Sequence, residues 1–274
     1  MPIGTITRGT TNTNRLRRVD RWMQELTVLR TTNDPLVVDL GYGASAVTSL
    51  ELHHRLARRR TDVGVIGLEI DPARVSGANA QLAVVRAGET SFAADARVRF
   101  ALGGFEVPLP AGRKAGVIRA LNVLRQYDEP DVVPAWRMLV ARLQPNGVLI
   151  DGTSDEIGRV AAWVDVGPNG PRSLTISLRL ADLEKPSIVA ERLPKILIHR
   201  NVPGEHVHRL MNDLDRHWQH HVALAAYGPT QRFIATVTAL KLSGWPVAGG
   251  PARWRLGELT LPWASVAPRA FAWH

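Results

Sequence analysis

The sequence predicts an α/β protein: a doubly wound, mostly parallel sheet, then an antiparallel hairpin and a helical C-terminal appendage. Three observations carry this expectation. Between residues 34 and 154, short runs that are apolar throughout alternate with segments of helical period, as in a parallel sheet covered on both faces. Gly167-Pro168-Asn169-Gly170-Pro171 separates two strand-like runs, and beyond residue 182 the apolar period is mainly helical.

The elements follow in order. Leu36 to Leu40 is a β-branched run ended by glycines, and Val47, Leu50 and Ala57 then recur at helical spacing within residues 46–60, giving strand, turn and helix. Val63 to Ile70 is the second strand, followed by Asp71 as N-cap and Pro72 at the first helical position. Val98 to Leu102, ending in Gly103-Gly104, is the third, and Gly116 to Leu121 the fourth. Val132, Val133, Trp136, Leu139, Val140 and Leu143 mark one face of an amphipathic helix. Pro145-Asn146-Gly147 breaks it, and Val148-Leu149-Ile150 begins the fifth strand. The hairpin pairs residues 160–166 with 174–180, where Leu174, Ile176 and Leu178 alternate with Thr175, Ser177 and Arg179. Helices are expected near 187–199, 206–221 and 230–242, and a last strand within 253–266. The domain reading is a basic arm over 1–33, a cofactor-binding core with the hairpin over 34–181, and a helical cap over 182–274.

Composition narrows the chemistry. The chain has 274 residues and no cysteine, which excludes disulfides, zinc ribbons, iron–sulfur clusters and cysteine nucleophiles. Its charge of +9 is unevenly spread: residues 1–33 carry 6 cations and 2 acids, residues 34–154 carry 14 and 13, and residues 155–274 carry 14 and 10. An anionic partner such as RNA would therefore meet the ends and not the middle. No run of about 18 apolar residues occurs, so no membrane span is expected and a cytoplasmic location is the default.

The informative segment is Val37-Val38-Asp39-Leu40-Gly41-Tyr42-Gly43-Ala44-Ser45. Glycines 41 and 43 let the backbone turn sharply out of the first strand and approach a ligand, with a helix N-terminus behind. Read as G-x-G-x-x-A this is also a dinucleotide fingerprint, but the acid at Asp39 suits a cationic ligand better than a pyrophosphate. Glu69 ends the second strand, where a carboxylate can accept both hydroxyls of a ribose.

On these residues the sequence resembles the class I S-adenosylmethionine-dependent methyltransferases, over roughly residues 35–152. Asp39-Leu40-Gly41-Tyr42-Gly43 is similar to the first motif of that family, Gly67-Leu68-Glu69-Ile70-Asp71-Pro72 to its acidic second motif, and Leu143-Gln144-Pro145-Asn146-Gly147-Val148-Leu149-Ile150 to the entry into its fifth strand. The resemblance implies a Rossmann-like fold, S-adenosyl-L-methionine as cofactor, and direct in-line methyl transfer to an oxygen or nitrogen. It implies that Asp39, Gly41 and Gly43 surround the methionine part, that Glu69 holds the ribose and that Ile70 lies near the adenine. Departures are Ser45 in place of a third glycine, and Leu102-Gly103-Gly104-Phe105 without an adenine-contacting Asp, which leaves Phe105 as an apolar contact. Ala120-Leu121-Asn122-Val123 does not match the motif used on base amino groups.

Acceptor-side residues are expected after strands four and five and in the appendage, because loops close over the carboxyl ends of a parallel sheet. Asn122 and Asp128, then Asp155 and Glu156, and His199 are the candidates, Asn122 also as a cofactor contact; Arg125 and Tyr127 lie among them. His217 and His221, four apart on a helix, have no carboxylate at fitting spacing, so no metal is expected. The run Arg15-Leu16-Arg17-Arg18-Val19-Asp20-Arg21-Trp22 either meets phosphate groups or is the solvated face of a helix covering the cofactor. The alternative to an enzyme is a nucleic-acid-binding or interaction protein that keeps the fold without turnover.

Overall fold

In the computed structural model the described residues are 2–6, 9 and 12–273; the others, among them Arg8 of the basic arm, lie outside the description. The chain forms two compact units, the first comprising residues 1–151, 156–158 and 166–169, the second 152–155, 159–165 and 170–274.

In the first unit the chain begins with α1 (Arg17–Met23) and α2 (Thr27–Thr31) and enters β1 (Leu36–Leu40), which is buried along its whole length. Next come α3 (Val47–Ala57), β2 (Gly64–Glu69), α4 (Pro72–Arg86) and β3 (Val98–Leu102), then β4 (Ala115–Leu121) and α5 (Glu129–Val140). β5 (Leu143–Ser154) crosses the boundary between the units. The strand order is β3-β2-β1-β4-β5, with β1 parallel to both β2 and β4, and β2 parallel to β3. This is the Rossmann-like α/β arrangement, with its order reversing between β1 and β4. Asp71 caps α4 by accepting the Ala73 N–H at 2.9 Å, with Pro72 in the first turn.

The second unit carries β6 (Val160–Gly167, its last two residues in the first unit), β7 (Gly170–Leu178), α6 (Lys195–Ile198), α7 (His206–His220), α8 (Pro229–Leu242), α9 (Pro251–Trp254) and β8 (Glu258–Pro262). β6 and β7 are neighbours joined by two residues, a connection that only an antiparallel hairpin can make, and β7 pairs antiparallel with β8. Val207, Leu210, Met211, Leu214 and Trp218 of α7 are buried, the expected apolar face.

Several boundaries differ from the sequence reading. Leu143 opens β5 instead of closing the preceding helix, because α5 stops at Val140 and the chain pairs as strand before Pro145. Residues 187–199 form a 3-10 segment (Pro186–Arg192) and the one-turn α6, Pro194 splitting what the apolar period joined. Only five residues of the interval 253–266 are strand. Among the described residues no helix is long and apolar enough to cross a membrane.

Candidate functional site

The carboxyl ends of β1 and β2 carry the motif residues. Gly41 has φ +64° and Gly43 φ +88°, left-handed conformations in which a side chain is strained. At Gly41 space is lacking as well, since a Cβ there would stand 2.7 Å from Val123 Cγ2. Val123 follows Asn122, which itself has φ +64° and is half-buried.

Glu69 is 1% exposed and faces this turn. Its Oε2 accepts the Gly43 N–H at 3.1 Å and its Oε1 the Ile70 N–H at 2.9 Å, while Arg74 Nη1 stands 3.5 Å away. Each carboxylate oxygen can accept two bonds; Oε2 has the Gly43 N–H and Arg74 Nη1, and Oε1, with the Ile70 N–H alone, keeps capacity for a ligand hydroxyl. Tyr42 packs edge-on against Phe100 with centroids 5.0 Å apart, and burial raises its pKa above the ordinary phenol value.

Asp39 lies under the turn, in a buried ionic cluster. Arg119 of β4 donates to it from Nε at 2.9 Å and from Nη2 at 2.7 Å, and Ser49 donates to Oδ2 at 2.7 Å. Arg119 also reaches Asp20 of α1, and Arg55 of α3 joins Asp20 at 2.5 Å and Glu51 at 3.3 Å. Burial raises the Asp20 pKa despite the guanidiniums beside it. The charge of Asp39 is thus offset by Arg119.

The cleft above these residues is lined by Leu40, Gly41, Glu69, Ile70, Gly103 and Gly104, with Phe105, Val123 and Tyr127 on the far side and Ile3, Gly4 and Thr5 across it. Its open volume is about 20 Å³. Phe105 is buried and packs on Tyr127 with centroids 5.3 Å apart.

The remaining candidates are dispersed. Asp128 is the N-cap of α5, its N–H donating to Asp131 Oδ2 at 3.3 Å. Glu156 is exposed, and its carbonyl accepts from Asn12 Nδ2 at 3.0 Å within the first unit. Asp155 belongs to the second unit, where its Oδ1 accepts the Arg159 N–H at 2.8 Å. His199 is exposed at the end of α6 in that unit. His217 Nε2 lies 3.3 Å from Ser243 Oγ, and His221 Nδ1 lies 2.7 Å from the His217 carbonyl. In the basic run, Arg17 donates to the carbonyls of Asn14 and Ile157 and Arg18 to that of Gly158.

Sequence reasoning did not single out Arg119, Arg74, Glu106 or Tyr127's part in holding Ile3–Thr5. Arg119 had a signal: a cation inside the apolar run Gly116–Leu121 must find buried acids. Gly4 and Thr5 carry no periodic signal of their own.

No family model matches the sequence, and no curated protein matches it either. Solved structures similar in part include an O-methyltransferase from neocarzinostatin biosynthesis in complex with S-adenosyl-L-homocysteine and 1,4-dihydroxy-2-naphthoic acid, 21% identical over 48% of this chain and 38% of that one, with a TM-score of 0.32. Magnesium protoporphyrin IX methyltransferase from Synechocystis PCC 6803, with bound S-adenosyl-L-homocysteine, is 18% identical over 49% of this chain and 52% of that one, at 0.36. N,N-8-amino-8-demethyl-D-riboflavin dimethyltransferase from Streptomyces davawensis is 14% identical over 50% of this chain and 37% of that one, at 0.35. In all three the matched region is under two thirds of the other chain, and the functional reading rests on the site's own geometry.

Proposed function

We propose that the chain is an S-adenosylmethionine-dependent methyltransferase acting on an oxygen or nitrogen acceptor. The observation that carries this reading is the bond from the Gly43 N–H to Glu69, which brings the positive-φ turn after β1 and the acid ending β2 to one point. That point is where the strand order reverses, the usual ligand position of an open α/β sheet.

The floor of the cleft fits the cofactor. Glu69 would hold the ribose through the remaining capacity of Oε1, Gly41 and Gly43 would border the methionine part, and Ile70 and Phe105 would supply the apolar walls an adenine needs. Bound there, the cofactor supplies a methyl group on a sulfonium for in-line displacement. The protein's share is orientation and exclusion of water. Asn122, after β4 and beside Val123, and Asp128, the N-cap of α5, are acceptor-side candidates on the same unit. Asp39, whose two oxygens are held by Arg119, would anchor the end of β1 from which the turn departs.

Calorimetry with S-adenosyl-L-homocysteine and with NAD tests the reading: the first should bind and the second should not. Incubating cell extract with labelled cofactor then identifies the acceptor class.

A second reading, a protein that keeps the fold without turnover and binds an anionic partner such as RNA, draws on the cationic excess of residues 1–33 and 155–274. It calls for RNA affinity that falls steeply with salt and is unchanged in Glu69→Ala.

A further inference from the structure

Ile3, Gly4 and Thr5 line the same cleft as Gly41, Glu69 and Ile70. The Ile3 N–H donates to Glu106 Oε2 at 2.7 Å, the Ile3 carbonyl accepts the Phe105 N–H at 2.8 Å, and the Thr5 N–H donates to Tyr127 Oη at 2.6 Å. Further along, the Gly9 carbonyl accepts the Ala44 N–H at 3.3 Å, taking up a donor of the glycine turn itself. Glycines make room for this seat: a Cβ on Gly104 would stand 2.1 Å from the Ile3 carbonyl oxygen, and one on Gly9 would stand 2.9 Å from Gly43 Cα. The segment is held by its backbone, while the side chains of Ile3 and Ile6 remain 46% and 60% exposed.

We infer that segment 3–6 is a self-ligand of the site, a strap that must leave before a nucleoside-sized ligand enters. The inference rests on the cofactor reading for the identity of what displaces it. With the strap seated the cleft holds about 20 Å³, against roughly 300 Å³ or more for a small-molecule site. The groups that segment 3–6 engages, Phe105 N–H and Tyr127 Oη, belong to residues that line the cleft. Strap and ligand therefore compete, and apparent affinity falls in proportion to the fraction of molecules in which the strap is out. The strap's attachment stays in place when it leaves, because Asp20 of α1 is bound to Arg119 and Arg55, and the Asn14 N–H to Glu51 at 2.8 Å.

The chain has no cysteine, so Ile6→Cys gives a single labelling position on an exposed side chain, and a nitroxide there reads the strap independently of any ligand. Thr5→Pro in the same background removes the N–H given to Tyr127 without touching the floor. A restricted label in the ligand-free protein that becomes mobile with S-adenosyl-L-homocysteine is the expected result. Thr5→Pro should raise the mobile fraction without ligand and tighten binding about three- to tenfold, the worth of one hydrogen bond. A label already mobile without ligand overturns the strap, as does a label that stays restricted while the ligand binds both forms equally. A label that is restricted and then freed by Thr5→Pro, with no ligand binding to either form, upholds the strap and removes the cofactor reading.

Discussion

Arg119 grips Asp39 through two nitrogens, Nε at 2.9 Å and Nη2 at 2.7 Å, and both residues are buried. The pair joins β4 to the end of β1, two residues before Gly41, and through Asp20 it extends to α1. A buried guanidinium shared by two carboxylates is costly to break from one side, because each orphaned charge stays in a medium that cannot solvate it. Arg119→Met should lower unfolding free energy by about 3–5 kcal/mol, seen as a fall in the urea midpoint. Asp39→Asn should likewise act mainly on stability, with S-adenosyl-L-homocysteine affinity changing less than in Glu69→Ala.

Glu69 has the opposite balance. Its two oxygens hold the N–H groups of Gly43 and Ile70, and it lines the cleft. Glu69→Ala removes both acceptors at once and should cost about 1–3 kcal/mol of stability. Cofactor-analogue binding should weaken by a similar amount, measured by calorimetry against the parent. Glu69→Gln can still accept one of the two N–H groups, so its stability should fall between parent and Ala variant.

His53 gives a pH dependence. Its Nε2 accepts the Arg97 N–H at 3.1 Å, a bond that only the ring unprotonated at that nitrogen can make. Burial, aided by neighbouring His54, lowers its pKa below the ordinary 6.5. In the unfolded chain the ring takes up a proton first as pH falls, so the unfolded state gains protons that the folded state does not. Its stabilisation is complete above about pH 6.5 and is lost as pH drops from there through the folded value. Denaturation midpoints at pH 7.5 and 5.0 should therefore separate further for the parent than for His53→Gln, whose side-chain oxygen accepts the same N–H without titrating.

How much of this was legible in the sequence depended on whether the signal was local. β1 is seen where Leu36–Leu40 predicts it, because apolar β-branched residues end sharply at Gly41. Glu69 and the glycine turn were readable from spacing, since a turn after one strand and an acid ending the next meet in any parallel pair. Leu143 was misread because the apolar period of α5 continues past its end, and only pairing in the fold assigns that residue to β5. Arg119, the buried partner of Asp39, lies 80 residues away on β4, a separation over which local spacing carries no pairing signal. The strap was invisible for another reason: it is held by main-chain groups, which every sequence possesses.

Gly41 offers the sharpest separation of backbone strain from crowding. An alanine there must hold φ near +64°, which costs an L-residue about 1–2 kcal/mol. Its Cβ would also meet Val123 Cγ2 at 2.7 Å, closer than two carbons pack. Gly41→Ala should therefore be destabilised by more than the conformational cost alone. Val123→Ala takes away the colliding methyl groups at the expense of a small cavity. If crowding contributes, the double variant Gly41→Ala/Val123→Ala should be more stable than the sum of the two single changes, a coupling that a double-mutant cycle reads directly. Simple additivity of the two urea denaturation energies would mean that Val123 moves aside freely and that the left-handed backbone alone demands glycine. In either case the loss of stability should be accompanied by weaker S-adenosyl-L-homocysteine binding, because the turn that Gly41 opens carries the Gly43 N–H to Glu69.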